Sequence, residues 1–150
     1  MLGGLVAVEW TLTIDCANPA RLADFWSVAL GYVHAPPPAG FETWEEWFVR
    51  FGVPEDEWDD GAALADPDGV RPRISFLRVP ESKVVKNRVH LDVQAGGGRA
   101  QPWDLRWARV TEAVERLTAA GATVIGEVAQ DGQPDHVVMA DPEGNEFCVV

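Results

Sequence analysis

The hydrophobic pattern switches between two periods along the chain, and the same succession of periods occurs twice. From Val6 to Cys16, the residues Trp10, Leu12, Ile14 and Cys16 alternate with Thr11, Thr13 and Asp15, which is the period of a half-buried strand. Asn18 and Pro19 then open a helix, because asparagine accepts an orphan N–H and the proline ring suits the first turn. Leu22, Phe25, Trp26, Ala29 and Leu30 form its apolar stripe, and Gly31 supplies the left-handed stop. Tyr32 to Ala35 predicts a short strand, ended by Pro36-Pro37-Pro38. Trp44, Trp47, Phe48 and Phe51 recur at helical spacing, so residues 41–61 read as a helical insertion followed by an acidic loop. Ala62 to Ala65 and Ile74 to Val79 predict a hairpin.

After a polar connector from Pro80 to Lys86, the pattern starts again. Val89, Leu91 and Val93 alternate with Arg88, His90 and Asp92. Gly96-Gly97-Gly98 is a loop and not a phosphate cradle, since no Gly-Lys-Ser/Thr follows. Trp103, Trp107, Val110, Val114 and Leu117 define a second amphipathic helix, with Glu112 and Arg116 as an i,i+4 pair and Gly121 as its stop. Thr123 to Val128, His136 to Ala140 and Glu146 to Val150 predict three further strands. Strand–helix–strand–strand–strand therefore occurs twice. A turn phrase marks the same repeat: Asp66-Pro67-Asp68-Gly69 returns as Asp141-Pro142-Glu143-Gly144, 75 residues later. Such internal duplication predicts two copies of one supersecondary unit burying a common face.

Length suits one domain over residues 1–150, with module one at about 5–80, its insertion at about 41–61, and module two at about 87–150. The 24 acidic residues against 12 basic ones exclude nucleic acid and an anionic membrane surface as partners, since phosphates need a Lys/Arg face. Cys16 and Cys148 make neither a disulfide framework nor a zinc knuckle and read as small buried hydrophobes. With no basic-then-apolar leader and no apolar run of spanning length, the expected location is the cytoplasm. Asp56, Asp59 and Asp60 lack EF-hand spacing and read as a solvated loop. Seven tryptophans and six phenylalanines suit either a filled core or an aromatic-lined pocket.

The duplication allows the halves to be compared slot by slot. Aligned by first strands, Thr11-Leu12-Thr13-Ile14 overlays His90-Leu91-Asp92-Val93; aligned by last strands, Glu146 falls opposite roughly Ser75. Module two thus carries an imidazole and a carboxylate where module one carries hydroxyls. His90 and Glu146 together make a half-site for Zn, Mn, Fe or Ni, or a proton-shuttling dyad without metal. The structural alternative is that they satisfy each other, or Arg88 and Asp92, as buried polar groups must.

Asp15-Cys16-Ala17-Asn18-Pro19, Phe25-Trp26, Leu30-Gly31-Tyr32, Val79-Pro80-Glu81, Lys86 to Asp92 and the closing run from Asp141 to Val150 carry a resemblance. Together they resemble the vicinal oxygen chelate superfamily of glyoxalase I, bleomycin-resistance proteins and extradiol dioxygenases, and more closely the glyoxalase-like domains common in actinobacteria. The resemblance implies an α+β fold of two tandem βαβββ modules forming a cupped, mostly antiparallel sheet, with a homodimer expected. In the superfamily's metalloenzymes, ligands come from the first and last strands of each module. It therefore places the second-module slots at His90 and Glu146, and the first-module slots at Thr11 and near Ser75. Two neutral hydroxyls among four slots argue against transferring glyoxalase I or dioxygenase activity. One expectation is a small lyase, isomerase or epimerase, in which His90 and Glu146 bind a divalent metal or move a proton. The other is a protein that sequesters an antibiotic or hydrophobic metabolite, with Thr11, Ser75, Trp10, Trp44, Trp47 and Trp58 as pocket residues.

Overall fold

The structure, a computed structural model, describes residues 6–150. Module one runs β1 (Leu12–Cys16), α1 (Pro19–Leu30), β2 (Val33–His34), α2 (Trp44–Arg50), a 3₁₀ helix (Glu55–Asp60), β3 (Gly61–Ala65) and β4 (Ile74–Arg78). Module two runs β5 (Asp92–Val93), α3 (Trp103–Ala119), β6 (Thr123–Gln130), β7 (Gln133–Ala140) and β8 (Glu146–Val149). Each forms a four-stranded sheet, in the orders β1-β4-β3-β2 and β5-β8-β7-β6. First and last strands pair in parallel, and the other pairs are antiparallel. This is the α+β arrangement of two βαβββ modules that the repeat and the resemblance predict.

Local chemistry explains the helices. Asn18 Oδ1 accepts the Arg21 N–H at 3.1 Å, and Gly31 (φ +69°) ends α1 with its N–H on the Ser27 carbonyl. Leu22, Ala23, Phe25, Trp26 and Ala29 are buried beneath that helix. Thr43 caps α2 through Oγ1, but no residue of α2 is buried, so its aromatics are not core. Along α3, Val110, Ala113 and Leu117 are buried, while Trp107 and Val114 pack partly against them. The predicted Glu112–Arg116 pair is absent from the ion pairs among the described residues.

Several strand boundaries differ from expectation: β7 begins at Gln133 and not at His136, β6 runs on to Gln130, and the first strand of each module is shorter. The first strand begins at Leu12 and not at Val6; Val6, Val8 and Trp10 are 87%, 87% and 64% exposed and lie outside it. The alternating run from Val89 is strand only at Asp92–Val93, although the Leu91 carbonyl still accepts the Cys148 N–H.

The modules share one core. Trp26 of α1 meets Phe147 of β8 edge-to-face at 5.0 Å, and Phe25 packs on both. The repeated turn phrase is part of this junction. In each copy a buried aspartate folds back onto its own turn, a common aspartate device: Asp66 accepts from Asp68, Val70 and Arg71, and Asp141 from Glu143 and Asn145. Gly69 (φ +67°) and Gly144 (φ +85°) then take the left-handed conformation that closes both turns. The Arg71 N–H and its neighbours hold the Asp66 carboxyl below the usual carboxylate range. Among the described residues only the second copy reaches across: Asp141 Oδ2 accepts the Trp26 indole N–H at 3.1 Å, and Glu143 accepts the N–H groups of Ala17 and Asn18. An anionic group at the start of α1 is favourable, since orphan N–H groups and the positive dipole end meet there.

Candidate functional site

Successive side chains of a strand point to opposite faces. Ile74, Phe76, Phe147 and Val149 point into the core. Thr13 and Ser75, register partners in β1 and β4, therefore lie on the other face of module one. Asp92 and Cys148, register partners in β5 and β8, do the same in module two. One step back on these faces stand Thr11 and Arg73 in module one, and His90 and Glu146 in module two.

The hairpin registers sharpen the comparison of halves. Ala63 pairs with Ser75 and Leu64 with Ile74; Val138 pairs with Cys148 and Met139 with Phe147. Ala65 and Ala140 both precede the turn aspartate, so Ser75 corresponds to Cys148 and Glu146 to Arg73. The expected match of Glu146 with Ser75 is thus corrected by two positions. Its cause is loop length: Val70 to Arg73 separate turn and strand in module one, against Asn145 alone in module two. Thr11 remains the counterpart of His90. Module one therefore presents a guanidinium where module two presents a carboxylate.

Of the second-module groups, His90 and Asp92 are solvent-facing, while Glu146 is half-buried and Cys148 buried. His90 Nδ1 lies 3.3 Å from Asp92 Oδ1, with the two side chains 45% and 52% exposed. Glu146 is bonded by the Lys86 ammonium, and its backbone N–H donates to Asn87 Oδ1. That lysine holds the Glu146 carboxyl below its ordinary range, with smaller help from the charges of Lys83 and His90. His90 thus turns to Asp92 and Glu146 to Lys86. Burial pushes the Cys148 thiol up, reinforced by the neighbouring Asp92 charge. Cys16 is raised to about 11, by burial first and then by Glu143 and Asp141.

His136 belongs to a different network. Its Nδ1 sits 2.8 Å from Asp135 Oδ2, on a buried carboxylate that also takes both Arg99 terminal nitrogens and Arg106 Nη1. The Arg99 hydrogen bonds, then His136, hold Asp135 well below the usual range. Its unfolded value near ~3.9 is therefore higher than its folded one, and the unfolded chain binds the extra proton. This contribution is complete above about pH 4 and is lost progressively as pH falls below it. Acid titration of urea midpoints should show that loss, and Asp135→Asn should flatten the wild-type acid limb.

The large cavity lies in module one. About 620 Å³ in volume, it is bounded by Trp44, Phe48 and Trp58 of the insertion and, on the sheet, by Thr13, Ala63 and Ser75. Glu45, Glu57, Asp59, His34 and Arg73 bring charged or titratable groups to it. The Trp44 and Trp58 indole N–H groups are held by the Ala35 and Val53 carbonyls, and Phe48 stacks on Trp58 at 5.4 Å. Among the described residues every group lining it comes from module one. Trp44, Trp58 and Ser75 of the expected pocket set line it. Trp47 stands behind, packed on Trp44 and Phe48, while exposed Trp10 and Thr11 are not part of its lining. His90 and Glu146 do not reach this cavity either.

The profile of the glyoxalase-like domain matches residues 11–150. The chain belongs to that family. No curated protein matches it. A glyoxalase/bleomycin resistance protein/dioxygenase family enzyme from Burkholderia phytofirmans PsJN shares the fold at 16% identity and TM-score 0.56, covering 93% of this chain and 94% of that one. A possible glyoxalase from Bacillus cereus does so at 14% identity and TM-score 0.58, covering 97% and 99%. A mutant of the fosfomycin resistance protein FosX from Listeria monocytogenes, complexed with Mn(II) and a dihydroxypropylphosphonic acid, shares it at 13% identity and TM-score 0.57, covering 99% and 92%. These structures share its fold, the one that the resemblance to the vicinal oxygen chelate superfamily implies.

The metal implied by that superfamily does not fit the four slots of this glyoxalase-like chain. Thr11 offers a neutral hydroxyl, and Arg73 a cation with no lone pair to donate. Another set in module two is consistent with a divalent metal: ligand atoms of His90, Asp92 and Cys148 lie within 4.8 Å of one another. The sequence reads Asp92 as a structural partner of His90 and Cys148 as a small buried hydrophobe; the donor set they form with His90 was not anticipated, yet its signal was present. His90 and Asp92, like Glu146 and Cys148, stand two residues apart and so share a strand face. Arg73 needed the hairpin register.

Proposed function

We propose that this glyoxalase-family protein binds an apolar, neutral or cationic small molecule in the module-one cavity and retains it without turnover. The observation that carries the reading is the 620 Å³ cavity between Trp44, Phe48 and Trp58 and the β1–β4–β3 face. Ligand sites typically enclose about 300–1,000 Å³, largely apolar with a few polar groups that orient the ligand. Thr13, Ser75 and Arg73 supply those groups. Glu45, Glu57 and Asp59 outweigh Arg73, the one guanidinium among the lining residues, which disfavours an anion such as the phosphonate bound by FosX.

The test is a thermal-shift panel of aromatic amines, neutral polyaromatics and fosfomycin. A ligand at about 100 times its Kd adds about 2.7 kcal/mol, because it binds only the native state. For a domain of this size that is roughly 5–10 °C. Apolar amines should give such shifts, Trp58→Ala should weaken them about tenfold in affinity, and fosfomycin should give none. Stabilisation by fosfomycin alone would overturn the proposal.

A second reading, turnover by a lyase, isomerase or epimerase, is favoured by one observation: the β5–β8 register brings His90 and Glu146, each two residues before the Asp92–Cys148 pair, to the same edge of module two. If a stabilising panel member is also consumed, and both His90→Ala and Glu146→Gln stop its consumption, this reading replaces simple retention. The family's small-molecule role holds under both.

A further inference from the structure

We propose that His90, Asp92 and Cys148 form a zinc-class metal site with thiolate ligation, distinct from a His90/Glu146 pair. The proposal goes beyond ligand retention in module one and stands or falls independently of it.

Three observations carry it. Asp92 and Cys148 are direct register partners on the parallel pair β5 and β8, and His90 lies two residues before Asp92 on the same face. The strand pairing thus fixes two donors as neighbours, and the His90–Asp92 contact adds the third. Second, the donors are already close. In a tetrahedral site with bonds of about 2.0–2.3 Å, ligand atoms lie roughly 3.3–3.8 Å apart. His90 Nδ1 and Asp92 Oδ1 stand at 3.3 Å, and all three donors fall within 4.8 Å. His90 and Asp92 are exposed and free to turn toward the buried Cys148 thiol. Third, Glu146 is turned to Lys86 and is not a member of this cluster.

The donor types select the metal. One imidazole, one carboxylate and one thiolate suit Zn²⁺ or Co²⁺, whereas Mg²⁺, Ca²⁺ and Mn²⁺ favour oxygen alone. Three protein ligands leave a fourth position open, the form taken by labile and catalytic zinc sites. On binding, Cys148 releases its thiol proton to solvent and His90 binds as the neutral ring.

Co²⁺ titration of tag-free, metal-stripped full-length protein reads the site directly. A thiolate-to-cobalt charge-transfer band in the near ultraviolet should appear at one equivalent and disappear when Zn²⁺ is added. Cys148→Ser should abolish the band, and His90→Ala should weaken Co²⁺ binding at least about 100-fold, since even outer-shell partners are worth roughly 10- to 100-fold. Cys16→Ser and Glu146→Gln should leave both unchanged. Because His90 is exposed, its variant keeps the test decisive where Cys148→Ser fails to fold. The proposal is overturned if Co²⁺ binds without the charge-transfer band, if the band survives Cys148→Ser, or if Glu146→Gln removes binding. Failure of all binding overturns it too, and leaves the ligand panel on module one untouched.

Discussion

Asp141→Ala should cost about 3–5 kcal/mol of unfolding free energy, read from urea midpoints, and lower Tm by roughly 10 °C. This one carboxylate accepts from Glu143 and Asn145 backbone N–H groups, the Asn145 amide and the Trp26 indole. It is 3% exposed, so water does not replace the lost partner. Each buried donor left unpaired costs about 1–3 kcal/mol. Against a whole-domain stability of about 5–15 kcal/mol, that is a large share. Asp141→Asn keeps an acceptor and should lose much less. A midpoint for Asp141→Ala within about 1 kcal/mol of wild type would show that the turn holds without the carboxylate.

Ala63→Trp should abolish the thermal shifts produced by panel hits while leaving the protein folded. Ala63 sits on β3 opposite Ser75, on the face turned away from buried Leu64 and toward the cavity. An indole there occupies the space between sheet and insertion without entering the core, so stability should change by less than about 1 kcal/mol. Ligand affinity should fall by more than about tenfold, because each displaced apolar contact is worth about 25 cal/mol per Å² of buried surface. Unaltered hits in a folded Ala63→Trp protein would move the site elsewhere.

The duplicated pattern and the Asp-Pro-x-Gly phrase made the two-module architecture legible from residues alone. Helix α1 was readable to its caps because Asn18, Pro19 and Gly31 each have a local job, needing no tertiary information. The first strand was overextended because Val6, Val8 and Trp10 keep the alternation but lie exposed, outside the sheet. Periodicity reports which residues share a face, not whether a neighbour covers that face. The same limit applied to the site. His90 and Glu146 stood out as chemically reactive types, but the Lys86 contact that engages Glu146 comes from a connector without periodic pattern. Counting from the last strand set Glu146 against Ser75, and only the hairpin pairing revealed Arg73. The aromatic insertion was visible as a helix, while its half-buried position over β1, β3 and β4 was not.

The turn phrase itself changes meaning with the structure. It marks duplication, but its second copy also clamps α1 through Asp141 and Glu143, which the first copy does not reproduce. The two halves thus divide labour. Module one encloses the aromatic cavity, and module two contributes the clamp and the donor cluster at His90, Asp92 and Cys148.

Amide and indole chemical-shift mapping with a stabilising hit from the panel tests the central claim most directly. Retention in module one predicts the largest perturbations at Thr13, Ala63 and Ser75 and at the Trp44 and Trp58 indoles, with His90, Asp92 and Glu146 unmoved. Perturbations concentrated at His90, Asp92 and Glu146, with those indoles silent, would contradict it.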